Sequence, residues 1–240
     1  MPIPGLYKIF DHWHQEGTAW VISDTHFGDK ELAAGTPNRP DDETLLRLIN
    51  AKCGKNDCLI HLGDVGDISY VARMRARHKV LICGNHDRGI TNYMRDTGHF
   101  CLDKTDCADA KTAVTIAKER YPGYEIGLSD VGTSWVLWYD NHLFDEVYSG
   151  VLSIGEKLIL SHEPIDVPWA FNIHGHRHTK QPNDDHHLNA CLDATGYQIL
   201  NLNQLMKDGL TSKVETIHRD TIDRATERKR RRGGKKCGTK

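Results

Sequence analysis

Residues 171–180, FNIHGHRHTK, set His174, His176 and His178 at alternate positions behind a short apolar run. In an extended segment, side chains two apart point the same way, so the three imidazoles can converge on one point. Taken alone, the stretch has two readings: a polar strand end with histidines on its wet face, or one wall of a metal site. Other strands ending in the same kind of residue would decide both the site and the fold that builds it.

They do end that way. WVISDTHFG (20–28) finishes with Asp24 and His26, and LIHLGDVGD (59–67) with Asp64 and Asp67. VLICGNHDR (80–88) finishes with Asn85, His86 and Asp87, and LILSHEP (158–164) with His162. In an open α/β sheet, ligands bind at the carboxyl ends of the strands, where loops converge on one crevice. Five strand ends therefore point at one place. Burying these carboxylates and imidazoles without compensation is costly, which calls for a cation. Oxygen and nitrogen donors without thiolate select a divalent ion such as Mn, Fe, Zn, Ni or Co. The donors outnumber the needs of one ion, and two ions bridged by a carboxylate use them.

The rest of the chain supports such a sheet. AWVIS, CLIHL, KVLIC, SWVLWY, KLILS and AFNIH read as strands. RPDDETLLRLINAKCG reads as a helix with Asp41 or Asp42 as N-cap and Gly54 as stop, and DISYVARMRARH as a shorter helix opened by Ser69. Strand–helix alternation over the first half predicts a parallel sheet with crossovers. The second half is mostly strands, with Ser149, Gly150 and Gly155 bounding hairpin-like pieces. CADAKTAVTIAKERYPGY predicts an inserted helix within about 96–124. A mixed α/β architecture with two sheets fits both halves.

Composition narrows the class. The 240 residues suit one large domain, spanning about 1–220, that buries roughly three quarters of its unfolded surface. No apolar run approaches the ~20 residues of a membrane span, and the N-terminal residues lack the pattern of an export signal, so a cytosolic protein is expected. Seven cysteines without a C-x-x-C pair argue against a disulfide framework, and Cys58 and Cys83 read as small buried residues. Residues 221–240 carry nine Lys or Arg against two acidic residues, and read as a disordered basic tail. The whole chain has a formal charge of −2, so the body is near −9, which argues against a broad nucleic-acid groove. The tail leaves nucleic acid open as a partner.

The motifs resemble those of the calcineurin-like metallophosphoesterases: D-x-H at 24–26, G-D at 63–64, G-N-H-D at 84–87, a lone His162, and G-H-x-H at 175–178. The phrasing is most similar to the short bacterial and phage-encoded members, over roughly residues 18–205. The resemblance implies a four-layer α/β/β/α sandwich of two mixed sheets flanked by helices. It implies two divalent ions, with manganese favoured. One would be held by Asp24, His26, Asp64 and His178, the other by Asp64, Asn85, His162 and His176. His86 would face the substrate as general acid, oriented by Asp67, while hydroxide made available between the ions attacks phosphorus. His174 is left over, with a strand-end role or an outer contact to a ligand both open. Ile68 stands where the protein phosphatase branch has an arginine that grips a dianion. Arg88 and Arg177 lie near enough to substitute. The expected substrate is a small phosphodiester, nucleotide-like or cyclic, with phosphomonoesterase and nuclease as alternatives on the same site. A non-catalytic scaffold is disfavoured because every ligand position is filled.

Overall fold

The computed structural model of the protein describes residues 17–87, 93–155, 157–179 and 183–215. The basic tail, Arg88 and the residues before 17 lie outside them. In chain order the strands are β1 (Ala19–Ile22), β2 (Cys58–His61), β3 (His78–Ile82), β4 (Arg95–Asp103), β5 (Glu125–Val131), β6 (Ser134–His142), β7 (Glu146–Tyr148), β8 (Leu152–Ile154), β9 (Leu158–Leu160), β10 (Phe171–His174), β11 (His187–Asn189) and β12 (Leu200–Asn201). The helices are α1 (Lys30–Gly35), α2 (Asp42–Lys52), α3 (Ser69–Ala72), α4 (Ala110–Arg120), α5 (Leu192–Thr195) and α6 (Leu202–Lys207).

Two mixed sheets pack face to face and are flanked by helices, as expected. The first has the order β12-β1-β2-β3-β7, parallel except for β12. The second has the order β11-β10-β9-β8, with only β8 antiparallel. Alternation along the strands divides their residues between cores. Val21, Ile60, Val80 and Ile82 meet Leu158, Leu160, Phe171 and Ile173 between the sheets. Ile22 and Leu59 face the other way, onto Leu45, Leu46 and Ile49 of α2. Those three side chains are 0%, 4% and 0% exposed, so truncating Leu45 to Ala would cost about 2–5 kcal/mol.

α2 begins where its cap allows: Asp41 accepts the Thr44 N–H at 2.7 Å, and the chain turns extended at Cys53, one residue before Gly54. Three sequence expectations are corrected. α3 opens at Ser69 as expected but is a single turn, shorter than the segment read for it, and the Ser69 N–H donates to Asp67 Oδ1 at 2.9 Å. β7 and β8 do not form a hairpin, because residues 149–151 carry the chain from one sheet to the other. The helix expected within 96–124 is present as α4, but it belongs to a larger unit, a third, antiparallel sheet of order β4-β6-β5. Its own small core joins Ala113 and Ala117 of α4 to Trp135 and Leu137 of β6.

Candidate metal centre

The site is made where β1, β2, β3, β9 and β10 stop. Each strand runs buried to its last residue, and the chain then turns abruptly with side chains the turn would normally refuse. Asp24, His26, Asp64 and His176 have φ of 59°, 42°, 57° and 66°. Left-handed backbone costs non-glycine residues energy and collects at functional sites. Here four of the expected ligand residues share it. The glycines beside them serve close approach. A Cβ on Gly84 would stand 2.2 Å from Asp64 Oδ1, and one on Gly175 would stand 1.9 Å from Ser23 Oγ and 2.5 Å from Asp24 Oδ2.

Asp24 and Asp64 are 0% and 2% exposed, so their charges need nearby compensation. Asp64 Oδ2 is 3.5 Å from His26 Nε2 and 3.4 Å from His162 Nε2. Asp24 Oδ1 is 3.6 Å from His178 Nε2 and 3.9 Å from His26 Nε2. Asn85 Oδ1 is 2.8 Å from His162 Nε2 and 3.0 Å from His176 Nδ1, and those two nitrogens are 3.2 Å apart. Donor atoms that share one ion at about 2.1 Å sit about 3–3.5 Å from one another, so these spacings suit metal coordination. All seven expected ligand residues are brought together.

The hydrogen-bond chemistry points the same way. Asp24 Oδ1 and His26 Nε2 are fully enclosed and have no hydrogen-bond partner. Buried polar atoms are seldom left so, and a cation satisfies both. His162 Nδ1 faces the Leu62 carbonyl at 2.8 Å and so carries the proton. In the neutral ring, Nε2 then presents a lone pair to the Asn85 Oδ1 lone pairs, a meeting that a bound cation relieves. Burial pushes the Asp64 carboxyl up, but the imidazoles of His162 and His26 beside it and the hydrogen bond from the His86 N–H outweigh it and hold it well below the usual range. For His162, burial acts downward while Asp64 raises the pKa, and the net shift is up.

Three groups of donor residues each lie within 4.8 Å of one another: Asp24, His26 and Asp64; Asp64, His162 and His176; Asp24, His178 and Cys191. Cys191 was not foreseen as a neighbour of the site. Burial raises its thiol well above the usual range, so without a cation it stays protonated.

His86 is exposed, meets the His26 ring edge-on at 5.3 Å, and donates its main-chain N–H to Asp64 Oδ1 at 2.9 Å. Among the described residues no hydrogen bond or ion pair joins Asp67 to His86. The expected pairing is absent because the Asp67 carboxylate turns to the start of α3. His174 donates from Nδ1 to the Gly175 carbonyl at 2.8 Å and packs on His187; it is in none of the donor groups.

Sequence reasoning missed the supports. His61, fully buried, accepts the Gly63 N–H at Nδ1 (3.1 Å) and meets Thr25 Oγ1 at Nε2 (2.9 Å), tying the two loops that carry Asp24 and Asp64. Asp193 accepts a hydrogen bond from His178 Nδ1 at 2.6 Å, and Arg39 Nη1 donates to both Asp193 oxygens at 2.6 Å. Burial alone would raise the Asp193 pKa, but His178, Arg39 and Tyr197 bring it below the usual value.

An α/β sandwich in which the loops after β1, β2, β3, β9 and β10 bring metal donors to one place suits a metal-dependent hydrolase. The chain belongs to the calcineurin-like phosphoesterases, whose family model matches residues 17–194. The reaction class is therefore metal-dependent hydrolysis of phosphate esters. A solved structure of a protein of unknown function from Aquifex aeolicus is similar, with a TM-score of 0.49 and 17% identity over 80% of this chain and 98% of that one. No curated protein matches the chain. No helix among the described residues is long and apolar enough to cross a membrane.

Proposed function

We propose that the protein hydrolyses small phosphodiesters at a dinuclear centre. One ion is held by Asp24, His26, Asp64 and His178 and the other by Asp64, Asn85, His162 and His176. The observation that carries this reading is the pair of buried, unpartnered atoms, Asp24 Oδ1 and His26 Nε2, with His178 Nε2 3.6 Å from the first and Asp64 Oδ2 3.5 Å from the second. Divalent ions bound there, manganese first among the candidates, would supply Lewis-acid polarisation of the phosphate and a nucleophile from water near neutral pH.

The protein's own residues do the rest. Asp64 lies between the two donor groups and neutralises part of the charge of each. His162 keeps its proton on Nδ1, directing the Nε2 lone pair inward. His86, exposed beside His26 and tethered through its main chain to Asp64, hands a proton to the departing alkoxide. In this reading Asp67 orients the His86 imidazole when substrate binds.

The preference for a diester rests on charge. A phosphomonoester dianion needs an arginine to spare, and Arg39 is 3% exposed and committed to Asp193. Ile68 supplies none. A nucleotide-like or cyclic diester fits this balance. Stripping the metal, restoring Mn, Fe, Zn, Ni or Co, and comparing bis(p-nitrophenyl) phosphate with p-nitrophenyl phosphate, a 2′,3′-cyclic nucleotide and single-stranded DNA tests it. The diesters should be cleaved faster than the monoester, and only with metal restored. Equal rates without metal, or a monoester preference, would overturn the reading.

A further inference from the structure

We propose that Asp193, clamped by Arg39, is the positioning group that makes His178 a metal ligand, and that it sets the affinity of one ion site and leaves the other alone. The inference deepens the dinuclear reading above and rests on it. An ionised carboxylate can only accept, so the 2.6 Å contact puts the His178 proton on Nδ1 and leaves the Nε2 lone pair on the side of Asp24 Oδ1, 3.6 Å away. Imidazole ligands held this way by a carboxylate are fixed in tautomer and ring angle.

The clamp reaches further than one ring. The side chains of Arg39 and Asp193 are each 3% exposed, and Arg39 Nη2 also donates to the Thr25 carbonyl at 2.6 Å and to the Asp24 carbonyl at 3.4 Å. One guanidinium therefore locks the loop bearing Asp24 and His26 to the acid that aims His178. A buried ion pair contributes little net stability, because desolvation offsets the attraction. Its use here is placement. The second donor group is built differently: His162 Nδ1 faces the neutral Leu62 carbonyl at 2.8 Å, and Asn85 brings no charge. Loss of Asp193 should thus be felt at the Asp24–His26–Asp64–His178 site.

The test uses full-length protein, with Mn²⁺ and Zn²⁺ titrated against a chromogenic chelator. Asp193→Asn should weaken one of two equivalents by about 10–100-fold and leave the other within about threefold. Long-range ¹H–¹⁵N spectra of the metal-free protein supply a second readout that does not depend on metal. His178 should be the Nδ1–H tautomer in the wild type and lose that preference in the variant. Arg39→Lys, which keeps the charge but not the fork, should weaken the same equivalent by less, and it stands in if Asp193→Asn fails to fold. Two equivalents bound as in the wild type, or both weakened alike, would overturn the proposal. Wild-type protein that takes up no ion would sink the metal-centre reading, and this inference with it.

Discussion

Asp87 holds Asp64 by its main chain. The Asp64 N–H donates to Asp87 Oδ2 at 2.8 Å, and the same carboxylate accepts the N–H groups of Gly84 (2.8 Å) and Val65 (3.0 Å). The acid that closes the G-N-H-D motif thus does not reach for metal; it staples the turn after β2 to the turn after β3. Charge-assisted bonds of this kind are strong, so Asp87→Ala should cost about 1–3 kcal/mol, with Asp87→Asn recovering part. Urea unfolding of the metal-free protein measures it, and a change under about 0.5 kcal/mol would show that water replaces the staple.

His86 is expected to matter according to the leaving group. His86→Asn should slow hydrolysis of alkyl diesters by about 10²–10⁴-fold and that of p-nitrophenyl diesters far less, since p-nitrophenolate departs without a proton. Metal content should stay at the wild-type level. An equal loss on both substrates would place His86 in binding rather than proton transfer.

His61 gives the metal-free protein an acid-sensitive core. Burial lowers its pKa to about 4, whereas the unfolded chain takes the proton near 6.5. Between those values the unfolded state binds more protons, so stability falls as the pH drops through that window, by at most about 3 kcal/mol. Above it, the full stability is present. His61→Gln, which keeps a donor toward Thr25, should remove about one proton from the slope. Denaturant titrations at several pH values between 4 and 7 read this directly, and an unchanged slope would mean that another group titrates.

Gly175→Ala tests how tightly the loops are drawn together. The new methyl would meet Ser23 Oγ and Asp24 Oδ2 inside contact distance, and the neighbours that must yield are buried. A cost of about 1–3 kcal/mol and weaker metal uptake are expected. Thermal melting with and without added Mn²⁺ checks both, and wild-type behaviour in each would show that the loop can shift freely.

The ligands were legible because each lies within a few residues of an apolar run, in a pattern that can be read locally. Asp24, Asp64 and His162 declare themselves by what precedes them. Arg39 and Asp193 do not. They are 154 residues apart, one before a proline in a polar loop and the other in a single helical turn, and neither stretch has a periodicity that marks it. The third sheet escaped for a different reason. β4 reads RDTGHFCLD, has no fully buried residue, and offers only Phe100 and Leu102 to its small core. Its strand character comes from nine consecutive pairings with β6, which a single strand cannot announce. Asp67 is a different case: its role comes from resemblance alone, and what the structure adds is that its Oδ1 accepts the Ser69 N–H at the start of α3.

That third sheet begins and ends at one doorway. Arg95 is paired with His142, and the ladder continues into the body of the protein through Leu143 N–H to Met94 O and Phe144 N–H to Tyr93 O, both 3.0 Å. A segment whose two ends lie side by side can be gained, lost or exchanged without re-routing the chain that carries it. A tight turn grafted between residues 94 and 143 would thus remove the appendage without re-threading the two main sheets, and would uncover the flank of α3 where Gly123 lies against Ala72.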